Sequence, residues 1–171
     1  CAVVTNARLM FGGVNTTWDV QLATALADAR SLGAWCDLDQ SQGGSISVTS
    51  PGPGLTAAHW TNVPYYGQPF LTSNLDVLLN SATGSIQITG LSSVPVYPYG
   101  GAGSNNNMFL GICKGGGVAN PGATLFSPGG PNTGTSCTIY RYGQAGTLTP
   151  GVNTITFTPT ANPNVYLWSA M

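Results

Sequence analysis

The sequence predicts an all-β fold, an antiparallel β-sandwich or jelly roll with one short α-helix near the N-terminus. Short runs of alternating apolar and polar residues recur along the chain, separated by Gly, Pro, Asn and Ser. Only one segment spaces its apolar residues as a helix does. The 171 residues show no composition break, so we expect a single domain over 1–171 that begins with a strand-helix segment over 1–40.

The helix is predicted over residues 17–32. Thr17 can cap its N-terminus, and Asp19 lies in the first turn, where a negative charge is favoured. Arg30 lies in the last turn, and Gly33 follows as a residue that commonly ends helices. The apolar residues at helical spacing predict a face packed on a sheet; they are Trp18, Leu22, Ala25, Leu26 and Ala29.

Six later segments have the pattern of strands. In the fifth, Ile155 and Phe157 share one face, while Thr154, Thr156 and Thr158 share the other, as a half-buried antiparallel strand requires. The threonine face is therefore a candidate for self-association. The predicted strands are 45–49, 85–89, 108–113, 137–142, 153–158 and 165–168.

Turn chemistry predicts how some of these segments are joined. Residues 76–80 and 85–89 form a hairpin across a four-residue loop. Three stretches rich in Gly, Pro and Asn are predicted to be irregular, and long loops of this kind often form contacts. They are residues 51–70, 100–107 and 115–134.

Charge is scarce, at 5% of residues where about 25% is usual. A net charge of −1 offers no basic patch for phosphates or anionic lipid, and the apolar runs are shorter than the roughly 20 residues of a spanning helix. We therefore expect no direct nucleic-acid contact and no membrane span. Low charge favours association, unless a glycan at Asn15-Thr16-Thr17 prevents it. After residue 40 the charged residues are Asp76, Lys114 and Arg141.

Four cysteines suggest an extracellular protein with up to two disulfides. Cys113 and Cys137 are the favoured pair, because both lie in predicted strands and a bridge would restrain the loop between them by about 3 kcal/mol. The alternative is that they are small buried residues without a bond. A single His and no paired CxxC motif argue against structural zinc.

Cys1 at the first position is expected to reflect processing or truncation. An acylated lipoprotein cysteine and a catalytic N-terminal cysteine are the alternatives. The apolar Ala2-Val3-Val4 that follows disfavours a lipid anchor, which would be followed by a polar tether.

The acidic residues give no complete metal or hydrolase motif. Asp37 and Asp39 resemble the start of a calcium loop, but Gln42 and Val48 stand where an EF-hand needs Gly and a bidentate acid. A looser calcium loop and a carboxylate pair are alternatives to two solvated aspartates beside a turn. We expect no resident cofactor.

A nucleophile and base could be assembled from His59 with Cys36 or a serine, but no G-x-S-x-G elbow is present. A hydrogen-bonded histidine in a loop or the core is the favoured interpretation of His59, and we expect no enzymatic activity.

Aromatic residues near Gly and Pro are candidates for contacts with protein or sugar. The alternative is that most of them fill the core. Because adjacent strand side chains face oppositely, at least one of Tyr65 and Tyr66 should be exposed. The aromatic contact candidates are Trp60, Tyr65, Tyr66, Tyr97 and Tyr99.

Together these patterns predict a non-enzymatic structural subunit of an extracellular assembly. Virion capsid, spike, decoration and tail proteins and surface fibres all fit the prediction, with other copies of the chain or other subunits as partners. The alternative is a carbohydrate-binding module or lectin that uses Tyr and Trp loops and binds a glycan.

Overall fold

The computed structural model describes residues 1–16, 22–28, 30–93, 108–119, 137–142 and 153–158. These residues form two five-stranded sheets and one short helix, α1 (Leu22–Ala27). The predicted all-β sandwich is therefore confirmed. The strands are β1 (Ala2–Val4), β2 (Arg8–Phe11), β3 (Arg30–Trp35), β4 (Ser45–Gly52), β5 (Leu55–Tyr65), β6 (Gln68–Asn80), β7 (Ile86–Thr89), β8 (Met108–Cys113), β9 (Cys137–Tyr142) and β10 (Thr154–Phe157).

Every neighbouring pair of strands is antiparallel. The first sheet has the order β1-β2-β3-β8-β9, and the second has the order β10-β7-β6-β5-β4. The chain crosses to the second sheet after β3, returns after β7, and crosses again after β9. Each sheet thus combines strands from distant parts of the sequence.

One hydrophobic core joins the two sheets. Leu32 and Leu110 project into it from the first sheet, and Trp60 and Val77 project from the second. Burying an apolar side chain of this size stabilises the fold by about 1.5–3 kcal/mol. The indole Nε1 of Trp60 donates a hydrogen bond of 3.2 Å to the carbonyl of Val4, and so links one sheet to the other.

The helix is shorter than predicted. The prediction over 17–32 was wrong at its C-terminal end, because the residues from Arg30 onward form a strand. Arg30 begins β3, which pairs with β2 and β8 on its two sides. Gly33 does not end a helix; it has a φ of +148°, and a Cβ there would lie 2.2 Å from the carbonyl oxygen of Ala7. Residues 17–21 and 29 lie outside the described residues. No helix in the described segments is long and apolar enough to cross a membrane.

The prediction of an irregular stretch over 51–70 was also wrong. Most of it is β5 and the start of β6, because the Gly and Pro residues lie at turns and bulges rather than in a loop. Gly54 lies in the tight turn between β4 and β5 with a φ of +70°. The pairing shifts register between Trp60 and Val63, where Asn62 has a φ of +51°. Such bulges accommodate residues like Pro64 that a regular ladder excludes.

Several local predictions are confirmed. The hairpin is formed by β6 and β7, with Asp76 opposite Thr89 and Leu79 opposite Ile86. The strands predicted at 108–113 and 137–142 are β8 and β9 with the same bounds, and those at 45–49, 85–89 and 153–158 correspond to β4, β7 and β10. The segments at 100–107 and 165–168 lie outside the described residues, as do residues 120–134 of the third irregular stretch; residues 115–119 are outside strands.

Candidate interaction sites

The outward face of the second sheet presents an aligned row of polar side chains, here called the polar row. It is set by register: Thr154 is paired with Thr89, Thr89 with Asp76, Asp76 with His59, and His59 with Ser47. Because alternate residues of a strand point to the same side, these five side chains share one face across all five strands.

The polar row contains one pair of groups that can carry charge. Nδ1 of His59 lies 2.6 Å from Oδ1 of Asp76, and Nε2 of His59 lies 2.8 Å from Oγ1 of Thr49. The carboxylate can only accept, so the ring donates from Nδ1. His59 is hydrogen bonded as predicted, but it lies on a partly exposed strand face rather than in a loop or the core.

A second row runs beside the first on the same face. Thr156 is paired with Gln87, Gln87 with Leu78, Leu78 with Ala57, and Ala57 with Thr49. Leu78 and Ala57 make its centre apolar, and the threonines at its two ends carry hydroxyl groups. The two rows together are here called the polar face, and they contain no lysine or arginine.

The threonine face predicted for self-association lies at one end of the polar face. Thr154, Thr156 and Thr158 are all exposed, whereas Ile155 is 2% exposed and Phe157 packs partly against the core. The sidedness predicted from the sequence is therefore confirmed, and the self-association itself stays a prediction.

The aromatic contact candidates differ in accessibility. Trp60 and Tyr65 are 1% and 6% exposed and belong to the core, so the hypothesis that they contact a partner was wrong. They are buried because their positions on β5 point inward. Tyr66 is 64% exposed, which confirms that one of the two neighbouring tyrosines faces solvent. Tyr97 and Tyr99 lie outside the described residues.

Tyr66 lines a cleft of about 490 Å³, here called the Tyr66 cleft. Backbone hydrogen bonds hold its walls together: Tyr66 N donates to Asp37 O at 2.8 Å, and Asp39 N donates to Pro64 O at 2.8 Å. A further bond of 3.2 Å runs from Cys36 N to Asn6 O. The residues that line the cleft are Val4, Thr5, Asn6, Thr16, Asp37, Leu38, Asp39 and Tyr66.

The two aspartates of the Tyr66 cleft have opposite environments. The pKa of Asp37 is raised by burial and then by the nearby charge of Asp39. The pKa of Asp39 is lowered, first by the hydrogen bond from Gln42 and then by that from Ser41. Asp39 thereby caps a short 3₁₀ turn, with Oδ1 at 2.9 Å from Ser41 N and Oδ2 at 2.7 Å from Gln42 Nε2. Within the described ranges, no donor hydrogen bonds to the Asp37 carboxylate.

The calcium loop and the cysteine nucleophile find no support in this geometry. No group of three or more His, Cys, Asp or Glu residues that could hold a metal ion occurs among the residues described. Cys36 is a buried free thiol, and burial and then Asp37 raise its pKa. Because the thiolate is the reactive form, both the burial and the raised pKa disfavour a nucleophilic role for this cysteine.

The two cysteines of the favoured disulfide are brought together by strand pairing. Cys113 and Cys137 are register partners on β8 and β9. Opposed residues of an antiparallel pair have Cα atoms about 4.5–5.5 Å apart, within the usual range for a disulfide. The bridge stays a prediction that this register permits, while Cys1 is an exposed free thiol.

The sequence pointed to Asp37, Asp39 and Tyr66 separately but gave no sign that they meet, because the cleft is built from four segments far apart in the chain. The pairing of His59 with Asp76 was likewise not predicted; strand register would have revealed it. No family model, curated protein or solved structure matches this chain.

Proposed function

We propose that this chain is a non-enzymatic structural subunit of an extracellular assembly, and that copies associate through the polar face. The observation that carries the proposal is the face itself, which spans five strands and contains a single acidic residue, Asp76, hydrogen bonded to His59. Virion capsid, spike, decoration and tail proteins and surface fibres are the assemblies that this composition fits. Other subunits of such an assembly are the further partners.

The composition of the polar face supports burial against a partner. Cores of protein interfaces are depleted in charged residues, and here the acid Asp76 is already hydrogen bonded to His59. Hydroxyl groups at both ends, such as Thr49 and Thr156, can form the polar rim around Leu78 and Ala57. A second copy could cover this face while the Asp76 carboxylate keeps its hydrogen bond from His59.

Strand β4 gives a second reason to expect association. It is the last strand of the second sheet in the described part of the chain, and its residues are mostly exposed. An edge strand is usually protected from pairing by charged residues, but Ser45–Gly52 contains none. Val48, on the core-facing side of this strand, is 56% exposed. Pro51 and the bulge before Gly52 protect only the far end of β4, so the regular part of the edge, 45–49, is open to another copy.

The location of the reactive groups supports the proposal that this chain is not an enzyme. Thr49, His59 and Asp76 form a hydroxyl-imidazole-carboxylate chain, but it stands on an exposed strand face. None of the three lines the Tyr66 cleft. A hydroxyl nucleophile requires donors for the oxyanion and exclusion of water, which a sheet surface does not supply.

Sedimentation of the wild type and of Thr156→Lys at equal concentration tests the proposal. Thr156 is exposed, so the change should alter the free energy of unfolding by about 0.5 kcal/mol or less. At an assembled contact it would bury an unpaired charge and cost several kcal/mol, so the complex should dissociate. Val14→Lys is the control, because Val14 is 66% exposed and lies outside the second sheet. A wild type that is monomeric at high concentration would refute association, and an assembled Thr156→Lys would exclude this face.

A further inference from the structure

The Tyr66 cleft has the features of a preformed small-molecule site. Its volume of about 490 Å³ falls within the usual range for ligand pockets. The walls come from the β1–β2 turn, the segments after β2 and after β3, and the β5–β6 turn, and three backbone hydrogen bonds join all of these except the segment after β2. A ligand would therefore enter a site that is already ordered, and little binding energy would be lost to loop ordering.

Asp37 is the acidic residue of the cleft whose carboxylate has no hydrogen-bond partner among the described residues. Its carboxylate is partly buried beside the cleft, and in the described part of the chain no donor or cation satisfies it. The raised pKa of Asp37 means that the fold holds this carboxylate at a cost in stability. Such groups concentrate at functional sites, where a ligand supplies the missing hydrogen bonds.

Tyr66 supplies the second recognition element. Its ring is 64% exposed at the edge of the cleft, and an exposed aromatic ring offers a flat face for stacking. Thr5 and Thr16 add hydroxyl groups, each able to donate and to accept. An acceptor, two hydroxyls and an aromatic face together match a ring that carries several hydroxyl groups.

A cation fits the cleft less well than such a ring. Calcium takes six to eight oxygen ligands, of which carboxylates supply the negative charge. Both oxygens of Asp39 already accept hydrogen bonds, from Ser41 and Gln42, which fix its orientation and occupy half of its lone pairs. This leaves Asp37 as the single free carboxylate of the cleft.

We propose that the Tyr66 cleft binds a neutral sugar ring, with the Asp37 carboxylate accepting hydrogen bonds from sugar hydroxyls and Tyr66 stacking on the ring. This site is separate from the polar face and does not depend on self-association. It uses Tyr66 and Asp37, rather than Trp60 and Tyr65, for the glycan binding that the aromatic residues suggested.

The experiment is titration of the full chain with neutral oligosaccharides of glucose, galactose, mannose and N-acetylglucosamine, followed by calorimetry. At least one sugar should bind, and Asp37→Asn and Tyr66→Ala should each weaken binding about tenfold or more. Phe70→Ala is the control, because Phe70 is a 99% exposed aromatic on β6 that does not line the cleft, and it should bind as the wild type does.

The results that would contradict the sugar-binding proposal can be distinguished from one another. Failure of every sugar at millimolar concentration overturns the proposal, and so does equal weakening by Phe70→Ala. Calcium chloride is titrated in parallel; calcium binding that is lost in Asp37→Asn, without sugar binding, would make the cleft a cation site instead. Circular dichroism of each variant confirms the fold, and sedimentation of the same samples reports on association independently.

Discussion

Arg8 and Asp28 form an ion pair inside the protein, with Nη2 of Arg8 at 2.9 Å from Oδ2 of Asp28. The arginine side chain is 2% exposed and the aspartate 15%. The guanidinium lies 4.0 Å from the centre of the Trp35 ring, and the Asn15 amide donates to both Asp28 oxygens. Burial lowers the pKa of Arg8, while the hydrogen bond and charge of Asp28 oppose that shift.

Asp28→Asn should therefore destabilise the fold strongly. The substitution removes the Asp28 charge from beside the buried Arg8 guanidinium, and removing one partner of a buried pair costs about 3–5 kcal/mol. Urea unfolding followed by circular dichroism measures the loss.

Asp76→Asn is the matched control, because its partner His59 is 31% exposed and Asp76 itself is 56% exposed. An exposed pair contributes about 1 kcal/mol or less. Equal losses in the two variants would contradict the assignment of Arg8 and Asp28 as a buried pair whose integrity the fold requires.

The opposite pKa shifts of Asp37 and Asp39 predict opposite effects of pH. The pKa of Asp37 is raised in the folded state, so its contribution to stability is fully present below the unfolded pKa and is lost as pH rises through the folded pKa. Asp37→Asn should therefore raise the free energy of unfolding at neutral pH. The gain should disappear in acid, below the ordinary value of 3.8.

Asp39→Asn should change the free energy of unfolding with the opposite sign and the opposite pH dependence. Its pKa is lowered in the folded state, so its stabilisation is present above the unfolded pKa and is lost as pH falls through the folded pKa. The variant should be less stable than the wild type at neutral pH and equal to it in strong acid. Urea unfolding from pH 2 to 7 covers both sides of the ordinary value of 3.8, above which the pKa of Asp37 lies and below which that of Asp39 lies. If both substitutions changed the free energy of unfolding at neutral pH in the same direction, the two aspartates would not have opposite environments.

The sequence alone was enough to predict those elements whose pattern lies within a few neighbouring residues. The alternation around Ile155 identified β10 and both of its faces, and the turn chemistry near 81–84 identified the hairpin. Cys113 and Cys137 were correctly placed in strands because the β8 and β9 segments combine apolar and aromatic residues without Gly or Pro interruptions beyond Gly111.

The errors arose where tertiary structure overrides local preference. Arg30 and Gly33 have the order of a helix end, but β3 is buried between two strands, and pairing on both sides outweighs the helical signal. Trp60 resembled a contact residue because it is an aromatic residue beside His59 and close to Pro64, yet its side of β5 faces the core. The Tyr66 cleft could not be predicted, because residues 4–6, 37–39 and 66 meet only after both sheets form.

The four cysteines should differ in their reactivity with an alkylating reagent. In the native protein Cys1 should be modified, because it is exposed, while Cys36 is protected by burial, which also raises the pKa of its thiol. In denaturant without reductant, Cys36 should react as well, whereas Cys113 and Cys137 should stay protected by their predicted bridge. Intact mass would show one adduct in the native state, two after unfolding, and four after reduction.

Cys113→Ser provides the control for the bridge, because it frees the register partner Cys137. This variant should carry three adducts after unfolding without reductant, one more than the wild type, although it has one cysteine fewer. Four adducts in the unreduced, unfolded wild type would exclude the bridge. Rapid modification of Cys36 in the native protein would instead contradict its burial between the sheets, since a buried thiol reacts only when the sandwich opens.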